Sequence, residues 1–532
     1  MKLAMGVFDS PQTQEQPTLY IDPHRTNIAV FGGPMTGKTT FLKTLLVRLH
    51  EEQRVPEEDI YIIDFGGNLG DYSLLPKVCA CFDSSNEENI KRVFRTLERR
   101  LKDNVARLNS QSYYSMEETT PGLCPPHLML IIDNVNAFLS DERYATYQDR
   151  LLGFCRDGLS KGLSVIFTAN DLSGMSRIVA NCGRKIAFEM PADYYFELYS
   201  SSVNKPMRVP GRGLINLDRE TFEFQCFLPF ADEKTELSNL LDKHRGYTNA
   251  NRMVSFGETL RSDNVTDYLP AGCTVSDNPD SILIGLDYYE HEPICLNIHE
   301  TTSIAIYGKR KFGKSNLLAL ILKEIKKRKA DARFVYLDDG REQVKPFYDS
   351  DQASGIDSQL ITDAQQLRPY LAENGYISIK KDNAGRSGFQ PIPEIRTPYT
   401  VFVLQGKSLY RGSSESRNAI FRDLGSMIGN AEAKGYLFIF SDVQKISDAY
   451  EQVTFNNLIS TAFLLDNIGE FVGDRGNKSV FGEMDARELK AEYAKCVVGD
   501  GYFYDTEADK LKKMRILDES EELKRLGLYH RI

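Results

Sequence analysis

A chain of 532 residues is too long for a single core, and 41% hydrophobic with 26% charged residues is the composition of a soluble globular protein of two to four domains. No apolar run approaches the roughly 18 residues of a membrane helix, and the N-terminus lacks the charged-then-apolar pattern of a secretory signal. The formal charge of −10 argues against broad sequence-independent DNA binding, which needs a basic face. The nine scattered cysteines, mostly in apolar runs, read as reduced core thiols.

The first predicted element is Gly6-Val7-Phe8-Asp9, a short glycine–apolar–acid stretch. It leads to Asn27–Leu49, NIAVFGGPMTGKTTFLKTLLVRL, around which the chain is organised. Gly32, four residues (Gly33, Pro34, Met35, Thr36), then Gly37, Lys38 and Thr39 satisfy the phosphate-loop spacing G-x-x-x-x-G-K-[ST], and Thr40 continues into a helix. The context fits: Ile28, Ala29, Val30 and Phe31 form a buried strand, and Phe41, Leu42, Leu45, Leu46 and Leu49 form a helical stripe. Glycines let backbone N–H groups curl around a phosphate, and the helix N-terminus adds partial positive charge. Lys38 suits the β- and γ-phosphates of ATP, and the Thr39 hydroxyl suits Mg²⁺. A chance glycine turn is the competing reading; the flanking strand and helix argue against it.

The strand Ile60–Asp64 ends in an acid followed by Gly66 and Gly67. Cys79 and Cys81 alternate along a predicted strand, Val78–Phe82, which places both on one face; no other Cys or His lies at metal-ligand spacing. A helix over Asn89–Leu108 carries Arg99 and Arg100, read as a solvated face or as a source of an arginine acting in trans. Beyond a polar stretch at 108–126, partly disordered by composition, the strand His127–Asp133 delivers Asp133 as the Mg²⁺ acid. The next residue is Asn134, where an efficient ATPase carries Glu. An amide orients a water but cannot accept its proton, so turnover is expected to be slow unless another acid, such as Glu189, serves. Thr168 and Asn170 end the strand that begins at Leu163, where a polar group can sense a γ-phosphate. A glycine hairpin, Pro210-Gly211-Arg212-Gly213-Leu214, closes this copy; the roles of Arg208 and Arg212 stay open.

The same order of features then recurs. Gly285-Leu286-Asp287 precedes a second loop with Gly308, four residues, then Gly313, Lys314, Ser315 and Asn316. Strands follow at Phe334–Asp339 with Gly340, at Thr400–Leu404 and at Tyr436–Phe440 with Ser441 and Asp442, before a hairpin at Val498–Tyr502. Here Gln405 replaces the Mg²⁺ acid, and Lys309, Arg310 and Lys311 add positive charge to the loop. This copy is expected to hold nucleotide weakly or to stand empty as a scaffold, without hydrolysis. Strands alternating with helices imply right-handed crossovers and covered, mostly parallel sheets. The predicted fold is α/β: two tandem RecA-like P-loop NTPase domains at 1–240 and 281–532, joined by a linker at 241–280. A loop around Asp382–Pro393 is predicted to be mobile.

GVFDSPQTQEQ at Gly6–Gln16, GGPMTGKTT, IYIIDFGG, LMLIIDN, and PGRGLI followed by Glu223-Phe224-Gln225 together resemble the FtsK/SpoIIIE family of P-loop ATPases, in particular its type VII (ESX) secretion branch, EssC/EccC. The tandem with degenerate acids is similar to the second and third ATPase domains of that branch. The resemblance implies ATP and Mg²⁺ as ligands, and upstream membrane-anchored ATPase domains in the same protein. It also implies assembly of copies into a hexamer, and secreted WxG-type helical-hairpin partners whose C-terminal tail docks in the last domain. The chain would then be a soluble fragment, begun at an added Met1, working at the cytoplasmic face of the cell membrane. A double-stranded DNA translocase of the FtsK type is the alternative. The acidic charge, the missing Glu and the absence of a basic DNA-reading segment after the second copy count against it, and no DNA partner is expected.

Overall fold

The computed structural model describes the chain apart from residues 1, 11–13, 52–57, 111–124, 200–204, 218–219, 246, 248, 250, 258, 271, 339, 341–342, 378–379, 382–386, 389–397, 406–408, 410–413, 442–455, 474–480, 482–483, 494 and 529–532. Most of both predicted polar loops, and Asp339 and Asp442, therefore lie outside the described residues. The chain divides into two compact units, Met1–Ser255 and Phe256–Ile532.

The strands of the first unit are β1 Leu3–Phe8, β2 Thr18–Ile21, β3 Ile28–Phe31, β4 Glu58–Asp64, β5 Val78–Asp83, β6 His127–Asp133, β7 Leu163–Ala169, β8 Arg184–Ala187, β9 Arg212–Leu217 and β10 Glu220–Cys226. They form one sheet in the order β2-β1-β10-β9-β8-β3-β7-β6-β4-β5. The run from β8 to β5 is parallel, and its central strands β3, β4, β6 and β7 are buried at every residue, as strands covered on both faces must be. The rest is antiparallel, β10 pairing with both β9 and β1.

The side-chain period of two splits β3 between two cores. Ile28 and Val30 pack with Phe41, Leu42, Leu45, Leu46 and Leu49 of the loop helix Lys38–Glu51. Ala29 and Phe31 face the opposite layer, where Phe138 and Phe154 stack on Phe94 and Tyr147 meets it edge-on.

The second unit repeats the plan. Its strands are β11 Ser281–Asp287, β12 Pro293–Asn297, β13 Ser303–Gly308, β14 Arg333–Leu337, β15 Ser358–Ile361, β16 Lys380–Lys381, β17 Ser387–Gly388, β18 Thr400–Gln405, β19 Tyr436–Ser441, β20 Thr461–Leu465, β21 Asp500–Asp505 and β22 Lys510–Ile516. Apart from the small β16–β17 ribbon, they follow the order β12-β11-β22-β21-β20-β13-β19-β18-β14-β15, strand for strand that of the first sheet. The expected tandem of mostly parallel α/β P-loop domains is what the chain forms.

Two expectations change. β5 carries a bulge: Ile60 pairs with Val78 and the next residue, Tyr61, with Ala80. The extra residue breaks the alternation, so Cys79 enters the core around Phe94 while Cys81 packs on the opposite layer. Arg100 is not on a solvated face either. It donates to the Tyr61 hydroxyl (3.0 Å) and pairs with the buried Asp59 carboxylate at the start of β4, the end of the strand remote from the phosphate loop.

Asp59 also accepts hydrogen bonds from the Asn249 and Asn251 side chains (2.9 Å each), and the Met253 N–H donates to the Cys79 carbonyl (2.7 Å). The stretch 241–280 thus divides. Residues through Ser255 belong to the first unit, whereas Phe256 stacks on His291 (centroids 4.2 Å apart) and Leu260 bridges to Leu517 in the second.

His50, at the end of the loop helix, is buried with both nitrogens used: Nδ1 lies 2.7 Å from the Leu46 carbonyl and Nε2 accepts the Lys77 N–H at 3.1 Å. Only the neutral ring fits, and burial pushes its pKa from 6.5 down to about 4. As pH falls through that interval the unfolded chain takes up a proton that the folded unit refuses. Stability of about 3 kcal/mol, complete above the unfolded-state pKa, is therefore lost toward pH 4. In urea unfolding, the drop in midpoint between neutral pH and about pH 4.5 should shrink clearly in His50→Gln; an unchanged drop would assign the acid sensitivity elsewhere.

Candidate nucleotide-binding sites

In the first unit the loop leaves β3 at Gly32, whose N–H donates to the Ala169 carbonyl at the end of β7 (3.2 Å). The Gly33 N–H donates to the Glu189 carbonyl (2.8 Å), and the Thr36 hydroxyl to the Gly33 carbonyl (2.9 Å). Gly37 lies at φ 113°, where a side chain is strained, and a Cβ there would sit 2.9 Å from the Gly211 nitrogen. Pro34 and Met35 form the outer turn, with Met35 94% exposed.

Lys38 folds back over the loop and donates to the carbonyls of Gly32 and Gly33 (2.7 Å each). Burial lowers its pKa, and the nearby Asp133 charge opposes that shift. Thr39 donates to Asp133 Oδ2 (3.1 Å), while Thr40 lies in the helix and its carbonyl accepts from the Thr44 hydroxyl (3.0 Å).

Asp133 ends β6 almost wholly buried. Its other oxygen accepts the Thr168 hydroxyl, which in turn accepts the Asn134 N–H (2.7 Å). Burial raises the Asp133 pKa; the hydrogen bonds from Thr168 and Thr39 act against that, and the neighbouring Asp64 adds to it. Asp64 is the acid of a tight turn, Oδ1 taking the N–H groups of Gly66 (3.1 Å) and Gly67 (2.7 Å) and Oδ2 that of Leu69 (2.7 Å). That turn brings Gly66 against Asp133, where a Cβ would stand 2.4 Å from Oδ2.

The side chains of Lys38, Thr39, Asp133 and Thr168 therefore converge at the C-terminal edge of the parallel strands, where ligands bind in open α/β sheets. Asn134 is beside them in the left-handed conformation (φ 64°, ψ 64°). Asn170 lies further out, its N–H on Asn136 Oδ1 (2.8 Å). Glu189 lies on the rim, its carboxylate paired with Arg208 (2.9 Å).

The donor set suits a hydrated Mg²⁺ with a triphosphate: a hydroxyl and a carboxylate 3.1 Å apart, beside the Lys38 ammonium at the start of the loop helix. Thr39 and Asp133 would hold the ion, which would neutralise phosphate charge.

The second unit keeps the loop and changes its lining. Gly308 (φ 134°) and Gly313 (φ 98°) shape it, and Lys314 folds back onto the carbonyls of Gly308 (2.8 Å) and Lys309 (2.9 Å). Ser315 follows at the helix start, and the Asn316 amide bridges away from the loop, donating to the Leu517 carbonyl (2.7 Å) and accepting the Glu519 N–H (2.7 Å). Gln405 ends β18 fully buried and donates to Gln343 Oε1 (3.1 Å). Asp338 is the turn acid matching Asp64, taking the N–H groups of Gly340, Val344 and Lys345. At the place of Asp133 an amide is a poor ligand for a hard dication, so this set does not suit Mg²⁺. Nor is Lys309 a spare charge: Asp466, just past β20 where Glu189 stands in the first unit, binds it at 2.9 Å, and Glu470 at 3.1 Å. Both hydrogen bonds hold its pKa above the usual value.

Two of these features escaped the sequence reading. The Asp-x-Gly-Gly pattern at 64–67 signals the acid-capped turn, whereas nothing near Lys309 points to its clasp, since Asp466 is 157 residues away by number.

No family model matches the chain. It is 26% identical over 355 residues to the ESX secretion system protein EccC of Thermomonospora curvata, covering 63% of this chain and 27% of that protein, so it spans about a quarter of that relative's length. Among solved structures, EssC (ATPases 2 and 3) from Geobacillus thermodenitrificans is similar with a TM-score of 0.70 at 19% identity, over 97% of this chain and 96% of that one. Thermomonospora curvata EccC (ATPases 2 and 3) in complex with a signal sequence peptide gives 0.63 at 19% identity, over 97% and 93%. The chain thus resembles the C-terminal ATPase domains of type VII secretion proteins EssC and EccC. Among the described residues no helix is long and apolar enough to cross a membrane.

Proposed function

We propose that the chain is the nucleotide-binding, substrate-receiving part of a type VII secretion ATPase, corresponding to ATPases 2 and 3. The first unit binds Mg²⁺-ATP through Gly32–Thr40, with Thr39 and Asp133 toward the metal and Thr168 holding Asp133. Asn134 in place of a base makes its turnover slow or absent. The second unit is catalytically inert and serves chiefly as the docking domain for the C-terminal tail of a secreted WxG-type protein. In the full machine these units follow membrane-anchored ATPase domains of the same protein, work at the cytoplasmic face of the membrane and assemble as a hexamer. The observation that supports this most is the 26% identity to EccC over 355 residues, read with two sites of one design and unequal lining.

The test is a pull-down with the immobilised chain and a WxG-type secreted protein, with and without its C-terminal tail. Capture is expected only with the tail. Equal capture of both forms, or of neither, would remove the receptor role from this chain.

A further inference from the structure

The family-like motifs at 6–16, 210–215 and 223–225 have no part in the chemistry above, yet the fold brings three of their charges together. Arg212, at the start of β9, is clasped by Asp9, just past β1, and by Glu223 of β10 (2.8 Å from Nε). Glu223 also takes the Met207 N–H at 3.0 Å. The clasp sits immediately behind Gly211. The Gly211 N–H donates to the Thr36 carbonyl (2.8 Å), its carbonyl accepts the Cys226 N–H (2.8 Å), and Gln225 Nε2 caps the Pro210 carbonyl (3.2 Å). Gly37 comes so close to Gly211 (φ 79°) that a Cβ on Gly37 would stand 2.9 Å from the Gly211 nitrogen, while a Cβ on Gly211 would meet Gln225 Nε2 at 2.8 Å.

The second unit is a built-in contrast. Its hairpin pairs the same way, with the Ile516 N–H on the Gly499 carbonyl (2.9 Å). Its charges are inverted: register places Asp500 where Arg212 stands and Arg515 where Gln225 stands, and these two pair with each other at 2.7 Å. Lys513 takes the place of Glu223. A Cβ on Gly313 would meet only Leu465 Cδ2, at 3.4 Å, and among the described residues no backbone hydrogen bond from Gly499 to that loop matches the one from Gly211 to Thr36.

We propose that Asp9, Arg212 and Glu223 are positioning residues for the first nucleotide site: together they press the glycine hairpin onto the Thr36–Gly37 peptide and hold the phosphate loop in its binding shape before nucleotide arrives. The assembly rests on the reading of Gly32–Thr40 as a nucleotide site. A flexible loop must be ordered at the moment of binding, and preorganisation removes that cost. The second loop lacks this clasp, since Asp500 and Lys513 stand where Arg212 and Glu223 do.

The test uses the full chain with Lys314→Ala to silence the second loop. Two variants are compared: Glu223→Gln alone, and the triple Asp9→Asn, Arg212→Gln, Glu223→Gln, which removes all three charges and leaves none unpaired to unfold the sheet. A fluorescent ATP analogue with Mg²⁺ is expected to bind about five- to tenfold more weakly to the triple variant, the scale of one ordinary net hydrogen bond, and by an intermediate amount to Glu223→Gln. Amide exchange in the nucleotide-free chain should quicken at Gly211 and Gly37 while the unliganded melting midpoint stays put. Unchanged affinity and exchange, or an affinity loss that merely follows a fallen melting midpoint, would overturn the proposal. If the parent chain binds no analogue and Lys38→Ala changes nothing, the nucleotide reading fails, and the exchange measurement alone then decides whether the clasp orders the loop.

Discussion

Lys38→Ala is expected to weaken Mg²⁺-ATP binding by about 10- to 100-fold, whereas Lys314→Ala should change little whether Mg²⁺ is present or not. Both lysines fold back identically onto two loop carbonyls, so the ammonium alone does not make the difference. The difference lies in what stands opposite. Lys38 faces a site with a carboxylate and a hydroxyl able to hold the metal, and the bound triphosphate would collect the lysine, the metal and the loop N–H groups at once. Losing the charge-assisted hydrogen bonds of one lysine costs roughly 1.5–3 kcal/mol, which is that range of affinity. In the second loop Gln405 supplies no charge for a metal, and Asp466 and Glu470 place two carboxylates on the nearest lysine, opposing an incoming triphosphate. Fluorescent-nucleotide titration of both variants settles the ranking, and equal losses would contradict it.

Asn134→Glu should raise basal ATP turnover, by about 10²–10⁴-fold if the base is all that is missing. Position favours the change: Asn134 follows Asp133 directly, its backbone is fixed by Thr168, and its side-chain oxygen is buried with no hydrogen-bond partner among the described residues. Conformation opposes it. At φ 64° asparagine is tolerated, but glutamate loses about 1 kcal/mol there, so the first unit should melt about 2–4 °C lower. Phosphate release and thermal unfolding on one preparation separate the two effects. A lowered midpoint without faster release would mean that a residue supplied in trans limits hydrolysis.

Much of the fold was legible because its signals are local. Uninterrupted apolar runs such as IAVF and LMLII mark strands buried on both sides, and the stripe of Phe41 and four leucines after Lys38 marks one helix face. Both phosphate loops follow from spacing alone. The duplication predicted two sheets of one topology, and their strand orders agree. Illegible were features set by a single irregularity or a remote partner. One bulge in β5 sends Cys79 and Cys81 to opposite layers, although alternation alone would unite them. Arg100 looked solvent-facing until the fold carried it to Asp59, and the charge-rich second loop looked basic until Asp466 and Glu470 reached Lys309.

By itself the sequence determined the two phosphate-loop spacings, the doubled α/β plan and the change from Asp133 to Gln405, because each rests on residue identity at short spacing. Only the tertiary structure decided how the two loops are held. Asp9 and Arg212 are 203 residues apart and meet because β1 and β9 both flank β10. The matching strands of the second unit carry Asp500 and Lys513 where Arg212 and Glu223 stand, and among the described residues no backbone hydrogen bond ties Gly499 to their loop. The Asp9–Arg212 pair reaches between strands separated by most of the first unit's chain, and no periodicity in the chain announces it.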